Sequence, residues 1–243
     1  MRLIIDIGNT LVKMALMTST EDMEVFLSKD LTIDDLKAIE ATETIDGVVI
    51  CSVRERDEVL MNYLKDKYIE FVEVTSSTPM PLKINYKTPE TVGVDRLMAA
   101  VGARHYNSKD DLLVCDFGSA ITFDFISSKG EFLGGNISPG AALRFRSLHS
   151  FTKRLPLCSL DEKVSLIGED TNSAIVSGVV NGIIYEIKGY LDHLEGSKNS
   201  FSVFFTGGDG KYFADKLKKT IFVKSYLTII GMYVVLNYNY ANK

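Results

Sequence analysis

The chain has 243 residues, a length that suits one or two domains with a sizeable core. Its 46% hydrophobic and 24% charged residues are typical of soluble globular proteins, and the net charge of −5 is spread along the sequence. No Lys/Arg run forms the basic stripe of a nucleic-acid-binding protein, and no apolar run reaches the ~20 residues of a membrane span.

The chain begins directly with a strand-like run and shows no signal-peptide pattern. Its three cysteines, Cys51, Cys115 and Cys158, are far apart and odd in number, so their spacing indicates neither a disulfide framework nor a metal site. We therefore expect a cytoplasmic protein in a reducing compartment, without nucleic-acid or membrane partners.

In the first half of the chain, short apolar runs alternate with longer segments of helical spacing. The pattern predicts strands near 2–7, 11–18 and 23–27, a helix near 32–42, a strand at 46–53, a helix at 55–67 and a strand at 69–74. A proline-containing loop follows, and a helix is expected to begin near Gly93.

The second half starts again in the same order. It predicts strands at 112–117, 120–127 and 131–137, a helix after Pro139, a long helix over roughly 171–194, a strand at 201–206, a helix near 210–219, a short strand at 221–223 and a final helix at 226–238. Two such successive units predict two similar α/β domains, 1–108 and 109–243. The apolar final helix either needs a covering partner or caps its own domain.

A short motif closes the first strand of both halves. It reads Asp-Ile-Gly-Asn-Thr at residues 6–10 and Asp-Phe-Gly-Ser-Ala-Ile-Thr at residues 116–122. Each copy is an apolar strand, an Asp, a Gly, a small hydroxyl residue and then another strand. Its occurrence at the head of two similar units is much less expected by chance than a single occurrence.

These two loops have the chemistry of phosphate binding. Glycine lets the backbone approach a phosphate, and side chains with hydrogen-bonding groups follow it, namely Asn9, Thr10, Ser119 and Thr122. The two carboxylates are suited to a cation that accompanies the phosphates, and Lys13 is long enough to reach one. Taken alone, each loop fits an Asx-capped hairpin turn better, and Lys13 a solvated strand residue, whereas the pair of loops together favours phosphate binding.

A third glycine site, Thr206-Gly207-Gly208-Asp209, joins a predicted strand to a predicted helix. Such a junction exposes helix N–H groups and leaves room for adenine and ribose, although an ordinary strand-to-helix turn has the same pattern. The three sites together resemble the nucleotide contacts of the actin, Hsp70 and sugar-kinase superfamily. Neither a P-loop nor a Rossmann glycine motif is present in the sequence.

At these residues the sequence resembles type III pantothenate kinase, the bacterial enzyme of the first step of coenzyme A biosynthesis. The similarity runs nearly the full length and is carried by residues 6–13, Gly93-Val94-Asp95-Arg96, the Asp116 loop, residues 134–140, Thr171 and Thr206-Gly207-Gly208. It implies two actin-like ATPase (ribonuclease H-like) domains with a cleft between them. It also implies ATP-dependent phosphorylation of pantothenate to 4′-phosphopantothenate.

The resemblance also implies roles for individual residues. Asp95 is expected to be the catalytic proton acceptor, and Asp116 to help hold a monovalent cation, K⁺ or NH₄⁺, while Mg²⁺ accompanies ATP. The residues expected to bind ATP are Asp6, Ile7, Gly8, Asn9, Thr10, Leu11, Val12, Lys13 and Ser119. Those expected to bind pantothenate are Tyr86, Gly93, Val94, Asp95, Arg96 and Thr171. The implied assembly is a homodimer in which the partner subunit supplies Thr171.

The residue chemistry is compatible with the role of Asp95. Phosphoryl transfer to an alcohol needs a group that accepts the hydroxyl proton, and Arg96 can pair with a substrate carboxylate. The structural alternative is an acidic residue that the helix dipole favours in the first turn of a helix over 93–106. His149 lies at the end of a predicted helix, in a region that the family resemblance places near the cleft, but a lone histidine at a helix end more often has a structural role.

Two departures from the family pattern are Ser119 in place of Thr, which keeps the hydroxyl, and Asp170 in place of Asn, which adds a charge near the expected pantothenate pocket. Two other functions remain open from the residues alone. One is a kinase of the same superfamily that acts on a sugar or a carboxylate. The other is a regulatory or binding protein that has kept the fold, which would predict damaged phosphate loops or an added basic region.

Overall fold

The computed structural model describes residues 1–161, 163–195 and 200–240. The predicted element order of the first half is confirmed. Its elements are β1 (Arg2–Ile7), β2 (Val12–Met17), β3 (Met23–Ser28), α1 (Ile33–Glu40), β4 (Gly47–Ser52), α2 (Glu58–Lys67), β5 (Glu70–Glu73), β6 (Lys83–Ile84) and α3 (Val94–Tyr106). The strand β6 and a 3₁₀ turn at Pro89–Thr91 were not predicted, because two paired residues carry no periodicity.

The second half also follows its predicted order. Its elements are β7 (Asp111–Phe117), β8 (Ala120–Ile126), β9 (Glu131–Pro139), α4 (Ala141–Ser150), α5 (Thr171–Glu195), β10 (Phe201–Thr206), α6 (Gly210–Asp215), β11 (Phe222–Val223) and α7 (Leu227–Tyr240). Among the described residues, none of these helices combines the length and apolarity needed to cross a membrane.

The strand order shows the duplication that the sequence predicts. The first sheet runs β3-β2-β1-β4-β5, with β2 antiparallel and β4 parallel to β1. The second sheet runs β11-β10-β7-β8-β9-β6. Without its edge strand β6 and read from the other end, the second sheet runs β9-β8-β7-β10-β11. This is the order of the first sheet, with β7 in the position of β1 and β10 in the position of β4. The two Asp-containing motifs therefore end equivalent central strands.

The chain forms two compact units whose bounds depart from the division at residues 108 and 109. The first contains Met1–Lys109, Ile126–Gly134 and Tyr226–Lys243, and the second Asp110–Phe125 and Gly135–Ser225. The segment 126–134 joins the first unit because its residues Glu131 and Phe132 pair with β6. The C-terminal helix joins it because α7 packs on α3.

The first unit covers the apolar C-terminal helix. Eight residues of α7 between Leu227 and Leu236 are buried, so its apolar faces are covered within the same chain. The two helices cross where each has a glycine. A Cβ at Gly102 of α3 would overlap the carbonyl of Leu227, and a Cβ at Gly231 of α7 would overlap the carbonyl of Met98. Only hydrogen fits at this crossing, which brings the helix backbones into direct contact.

The variant Gly231→Ala tests this crossing. Since the added methyl group meets backbone rather than a movable side chain, we expect the free energy of unfolding to fall by about 1–3 kcal/mol. The control is Gly189→Ala on α5, where a Cβ would meet nothing within 4 Å. There the higher helix propensity of alanine should raise stability by about 0.5–1 kcal/mol. Urea denaturation measures both, and equal effects of the two variants would contradict the close crossing.

Candidate active site

The loop after β1 is a tight hairpin with exposed polar side chains. The amide of Gly8 donates to the carbonyl of Leu11 at 3.0 Å, and a Cβ at Gly8 would lie 3.1 Å from the same oxygen. Asn9 and Thr10 are exposed at its tip. Of the predicted ATP-binding residues, Val12 is buried in the core and Ile7 packs against it, so these two can offer a ligand only backbone groups.

Asp6 and Lys13 face each other across β1 and β2. They are register partners, and the ammonium of Lys13 lies 3.1 Å from Oδ2 of Asp6. Asp6 is only 5% exposed, and this burial raises its pKa. The charge and hydrogen bond of Lys13 lower the pKa, while the negative charge of Asp95 raises it further. Lys13 is thus part of an ion pair rather than a solvated strand residue.

Asp95 lies in the first turn of α3, close enough to Asp6 for their charges to interact. Its Oδ1 accepts a hydrogen bond from the amide of Arg96 at 2.9 Å. A Cβ at Gly93, the N-cap residue, would lie 2.6 Å from the same carboxylate oxygen. The helix-end geometry of the structural alternative is therefore present, and it fixes an Asp95 carboxylate whose charge acts on that of Asp6.

Phe132 lies between two residues predicted from the family resemblance, Arg96 and Tyr86. The guanidinium carbon of Arg96 lies 5.6 Å from the Phe132 ring centroid, and the Tyr86 ring centroid lies 6.2 Å from it. Gly134 has φ +117°, and a Cβ there would lie 3.1 Å from the Tyr86 ring. Phe132 was not among the residues predicted from the sequence, where its position two residues before the Gly134-Gly135 pair was the available signal.

In the second unit, two glycine segments enclose the Asp116 loop. The amide of Gly140 donates to the carbonyl of Ser119 at 3.0 Å. Gly207 has φ +84°, and a Cβ there would overlap both the Asp116 carboxylate and the Phe117 carbonyl. The Asp209 amide donates to that same carbonyl at 3.3 Å. Asp116 is half-buried and Ser119 is exposed, so the two predicted nucleotide segments of this half lie together.

Thr171 belongs to neither cluster. It is the exposed first residue of α5, and Asp170 caps that helix by accepting the amide of Ser173 at 2.8 Å. This bond lowers the pKa of Asp170, so the family departure at this position has a local structural role. The structural alternative for His149 also fits, because its Nδ1 lies 2.8 Å from the carbonyl of Leu155.

Arg54 contacts the first loop and was not among the predicted site residues. Its Nε donates to the carbonyl of Gly8 at 2.7 Å. The available signal was positional, because Arg54 follows β4, the parallel neighbour of β1, and the carboxyl ends of parallel strands meet at one sheet edge.

The acidic residues of the site, Asp6, Asp95 and Asp116, suit a cation that is bound partly by the protein and partly by the phosphate oxygens of a substrate. Among the described residues, no three or more His, Cys, Asp or Glu side chains form a cluster able to hold a metal ion. Mg²⁺ in phosphoryl-transfer sites takes one or two carboxylates together with phosphate oxygens. Asp6 and Asp95, whose charges interact, supply two carboxylates of this kind. Asp116, with the Phe117 carbonyl near Gly207, offers oxygen ligands of the type that hard cations prefer.

Comparison with known proteins gives one consistent family. A family model described as type III pantothenate kinase matches residues 2–193. A curated type III pantothenate kinase of Azobacteroides pseudotrichonymphae genomovar. CFP2 is 40% identical over 238 residues, which cover 98% of this chain and 97% of its own.

Solved structures give the fold. A Campylobacter jejuni protein assigned to the Baf family of transcriptional activators superimposes with a TM-score of 0.65 at 26% identity, over 99% of this chain and 100% of its own. A Sinorhizobium meliloti protein assigned as a 2-dehydro-3-deoxygalactonokinase has a TM-score of 0.59 at 11% identity, over 99% of each chain. The second likeness concerns the fold alone. The predicted two-domain actin-like fold is confirmed.

The variant Asp6→Asn tests the cost of the buried carboxylate. A carboxyl whose pKa is raised on folding destabilises the protein above its folded pKa, and this penalty disappears below the unfolded pKa of about 3.9. We therefore expect a higher Tm than wild type at about pH 8 and a gain that shrinks towards about pH 4. Thermal denaturation across this range measures it. The exposed Asp34→Asn is the control and should show no such trend; a lower Tm of Asp6→Asn at about pH 8 would contradict the raised pKa.

Proposed function

The chain belongs to the type III pantothenate kinase family, and from this premise we propose how its residues transfer a phosphoryl group from ATP to pantothenate. The family activity is ATP-dependent and supplies 4′-phosphopantothenate to coenzyme A biosynthesis. The observation that carries the proposal is that the first unit combines the exposed 8–11 loop with two carboxylates whose charges interact, those of Asp6 and Asp95.

Asp95 is the proton acceptor in this proposal. Phosphoryl transfer depends on positioning the acceptor oxygen and on charge stabilisation, and a carboxylate within hydrogen-bond reach of the hydroxyl can take its proton. The first turn of α3 supports this role because the Arg96 amide holds the Asp95 carboxylate, and Gly93, which has no Cβ, leaves the space that its Oδ1 occupies.

ATP is bound by residues 6–13 together with Ser119. The exposed Asn9 and Thr10 and the backbone of the 8–11 loop can donate hydrogen bonds to phosphate oxygens, while Lys13 adds positive charge. Asp6 would hold Mg²⁺ with the phosphates. The metal supplies neutralisation of phosphate charge when it is bound.

Pantothenate is bound by Tyr86, Arg96 and the turn at residues 93–95, with Thr171 from the partner subunit. Arg96 is 8% exposed and lies over an aromatic ring, a setting in which a guanidinium interacts strongly with a single carboxylate. Pantothenate carries one carboxylate, so an ion pair with Arg96 would favour its binding over that of a neutral sugar.

The monovalent cation, K⁺ or NH₄⁺, is assigned to Asp116, and the working location is the cytoplasm, where ATP and pantothenate are available. The homodimer is supported by large apolar side chains exposed in the second unit, one directly after α4 and two shortly before α5. Phe151, Leu166 and Ile167 are 89%, 73% and 75% exposed, and a second copy of the chain would remove them from water.

The catalytic assignment is tested by Asp95→Asn. We expect kcat for ATP-dependent formation of 4′-phosphopantothenate to fall by about 10²–10⁴-fold, because the proton acceptor is lost. Asp34→Asn, which also removes an acidic residue from a first helical turn, should leave kcat unchanged. Product is measured by mass spectrometry with Mg²⁺, with and without K⁺, and K⁺ should stimulate the wild type.

Three outcomes would contradict the assignment. Wild-type rates in Asp95→Asn would remove the catalytic role. ATP consumption only with another alcohol would indicate a different kinase of this fold. ATP binding without turnover would indicate a binding or regulatory protein.

The shared site is tested by mixing two inactive variants, Asp95→Asn and Thr171→Val, under conditions of subunit exchange. If each site uses Asp95 of one subunit and Thr171 of the other, half of the sites in every mixed dimer are intact. Random mixing should then restore about a quarter of wild-type activity, whereas sites built from one chain would restore none. Sedimentation of both variants confirms that each remains dimeric.

A further inference from the structure

Arg54 lies outside the residues that the family resemblance assigns to the site, yet it binds the loop that follows β1. We propose that Arg54 is a positioning residue that holds the 8–11 loop in the conformation that binds the phosphates of ATP. This proposal rests on the proposed function of that loop.

The backbone around Arg54 is fixed before its side chain begins. In the β1–β4 ladder Ile7 is the register partner of Ser52, and the amide of Val53 continues the ladder by donating to the carbonyl of Ile7 at 3.0 Å. The Ser52 hydroxyl then accepts the amide of Arg54 at 3.1 Å. The Arg54 side chain therefore starts from a defined point at the carboxyl end of the sheet.

The guanidinium joins two loops. Its Nε donates to the carbonyl of Gly8 at 2.7 Å, and its Nη1 donates to the carbonyl of Lys29 at 3.2 Å and to Oδ1 of Asp30 at 3.3 Å. A guanidinium can make these bonds at once because its donors lie in a rigid plane. The loop after β3 thereby anchors Arg54 against the loop after β1.

The bond to Gly8 sets the direction of the next amide. In a trans peptide the carbonyl and the N–H point to opposite sides, so a carbonyl of Gly8 held towards Arg54 holds the amide of Asn9 away from it. A charge-assisted bond at the carbonyl also polarises the peptide and strengthens that amide as a donor. Arg54 thus orients and strengthens one of the N–H groups that the loop offers to a phosphate.

The duplicated sheet supports this assignment. In the second unit Gly207, Gly208 and Asp209 follow β10, the equivalent of β4, and the Asp209 amide binds the Phe117 carbonyl at the end of β7. The residues after β4 take the same place beside the end of β1. The Val53 amide makes the corresponding backbone bond to Ile7, and, with no Gly-Gly pair there, the Arg54 side chain adds a bond to the next residue of the loop, Gly8.

The test compares Arg54→Met with Arg56→Met in the full-length protein. Arg56 is the matched control, because it pairs with Glu58 at 3.0 Å and Glu73 at 2.8 Å and has no bond to the 8–11 loop among the described interactions. Losing a charge-assisted bond should weaken ATP binding by about tenfold in Arg54→Met, seen in the Kd and in the KM for ATP. The KM for pantothenate and the Tm should stay near the wild-type values.

Two further measurements separate positioning from stability. Amide hydrogen exchange of the segment 8–11, measured without ligand, should be faster in Arg54→Met than in Arg56→Met. Arg54→Lys keeps the charge but cannot make the planar set of bonds, so it should recover ATP affinity only in part.

The proposal is overturned if ATP affinity is unchanged in Arg54→Met, if both variants lose it equally, or if the KM values for both substrates rise together with a fall in Tm. Faster exchange at 8–11 with unchanged ATP affinity would likewise make Arg54 a purely structural residue. A wild type that binds no ATP would instead overturn the proposed function, and the positioning role with it.

Discussion

The site in the first unit depends on the buried carboxylate of Asp6, which lies at the end of the central strand β1. Burial raises the pKa of Asp6, and Lys13 compensates in part at 3.1 Å. The negative charge of a second carboxylate, Asp95, repels that of Asp6 and raises the pKa of Asp6 further. Such an arrangement costs stability in the free protein and favours a cationic ligand. Burial, with the charges of Asp6 and Asp95, also raises the pKa of the neighbouring Cys51 thiol, which therefore stays protonated and unreactive.

The same strand order is used twice, and the two copies support their loops by different means. After β7, glycines at 140 and 207 let backbone segments press directly on the Asp116 loop. After β1, the charged side chain of Arg54 reaches across from the neighbouring strand end. Both solutions fix the loop in place, as phosphate binding requires, because the loop's N–H groups must be oriented before the ligand arrives.

The composition of the C-terminal helix predicts that the helix is buried but not which part of the protein covers it. Its apolar sequence on all faces correctly indicates that it is buried. Neither a partner subunit nor its own half of the chain provides the cover, however, since α7 packs on α3 of the first unit. The packing of α7 on α3 depends on Gly102 and Gly231, which lie at the same helix crossing. These glycines are 129 positions apart in the sequence, so no local pattern predicts that they are in contact.

By itself the sequence determined the order of strands and helices, the two-fold repetition and the family, because periodicity and short motifs are local properties. It also located the two loop motifs at residues 6–10 and 116–122. Only the tertiary structure decided which side chains support them. Arg54 and Gly8 lie 46 residues apart, and Phe132 reaches Arg96 and Tyr86 through the pairing of β9 with the two-residue strand β6. Such contacts follow from strand register and helix packing, which no local pattern records.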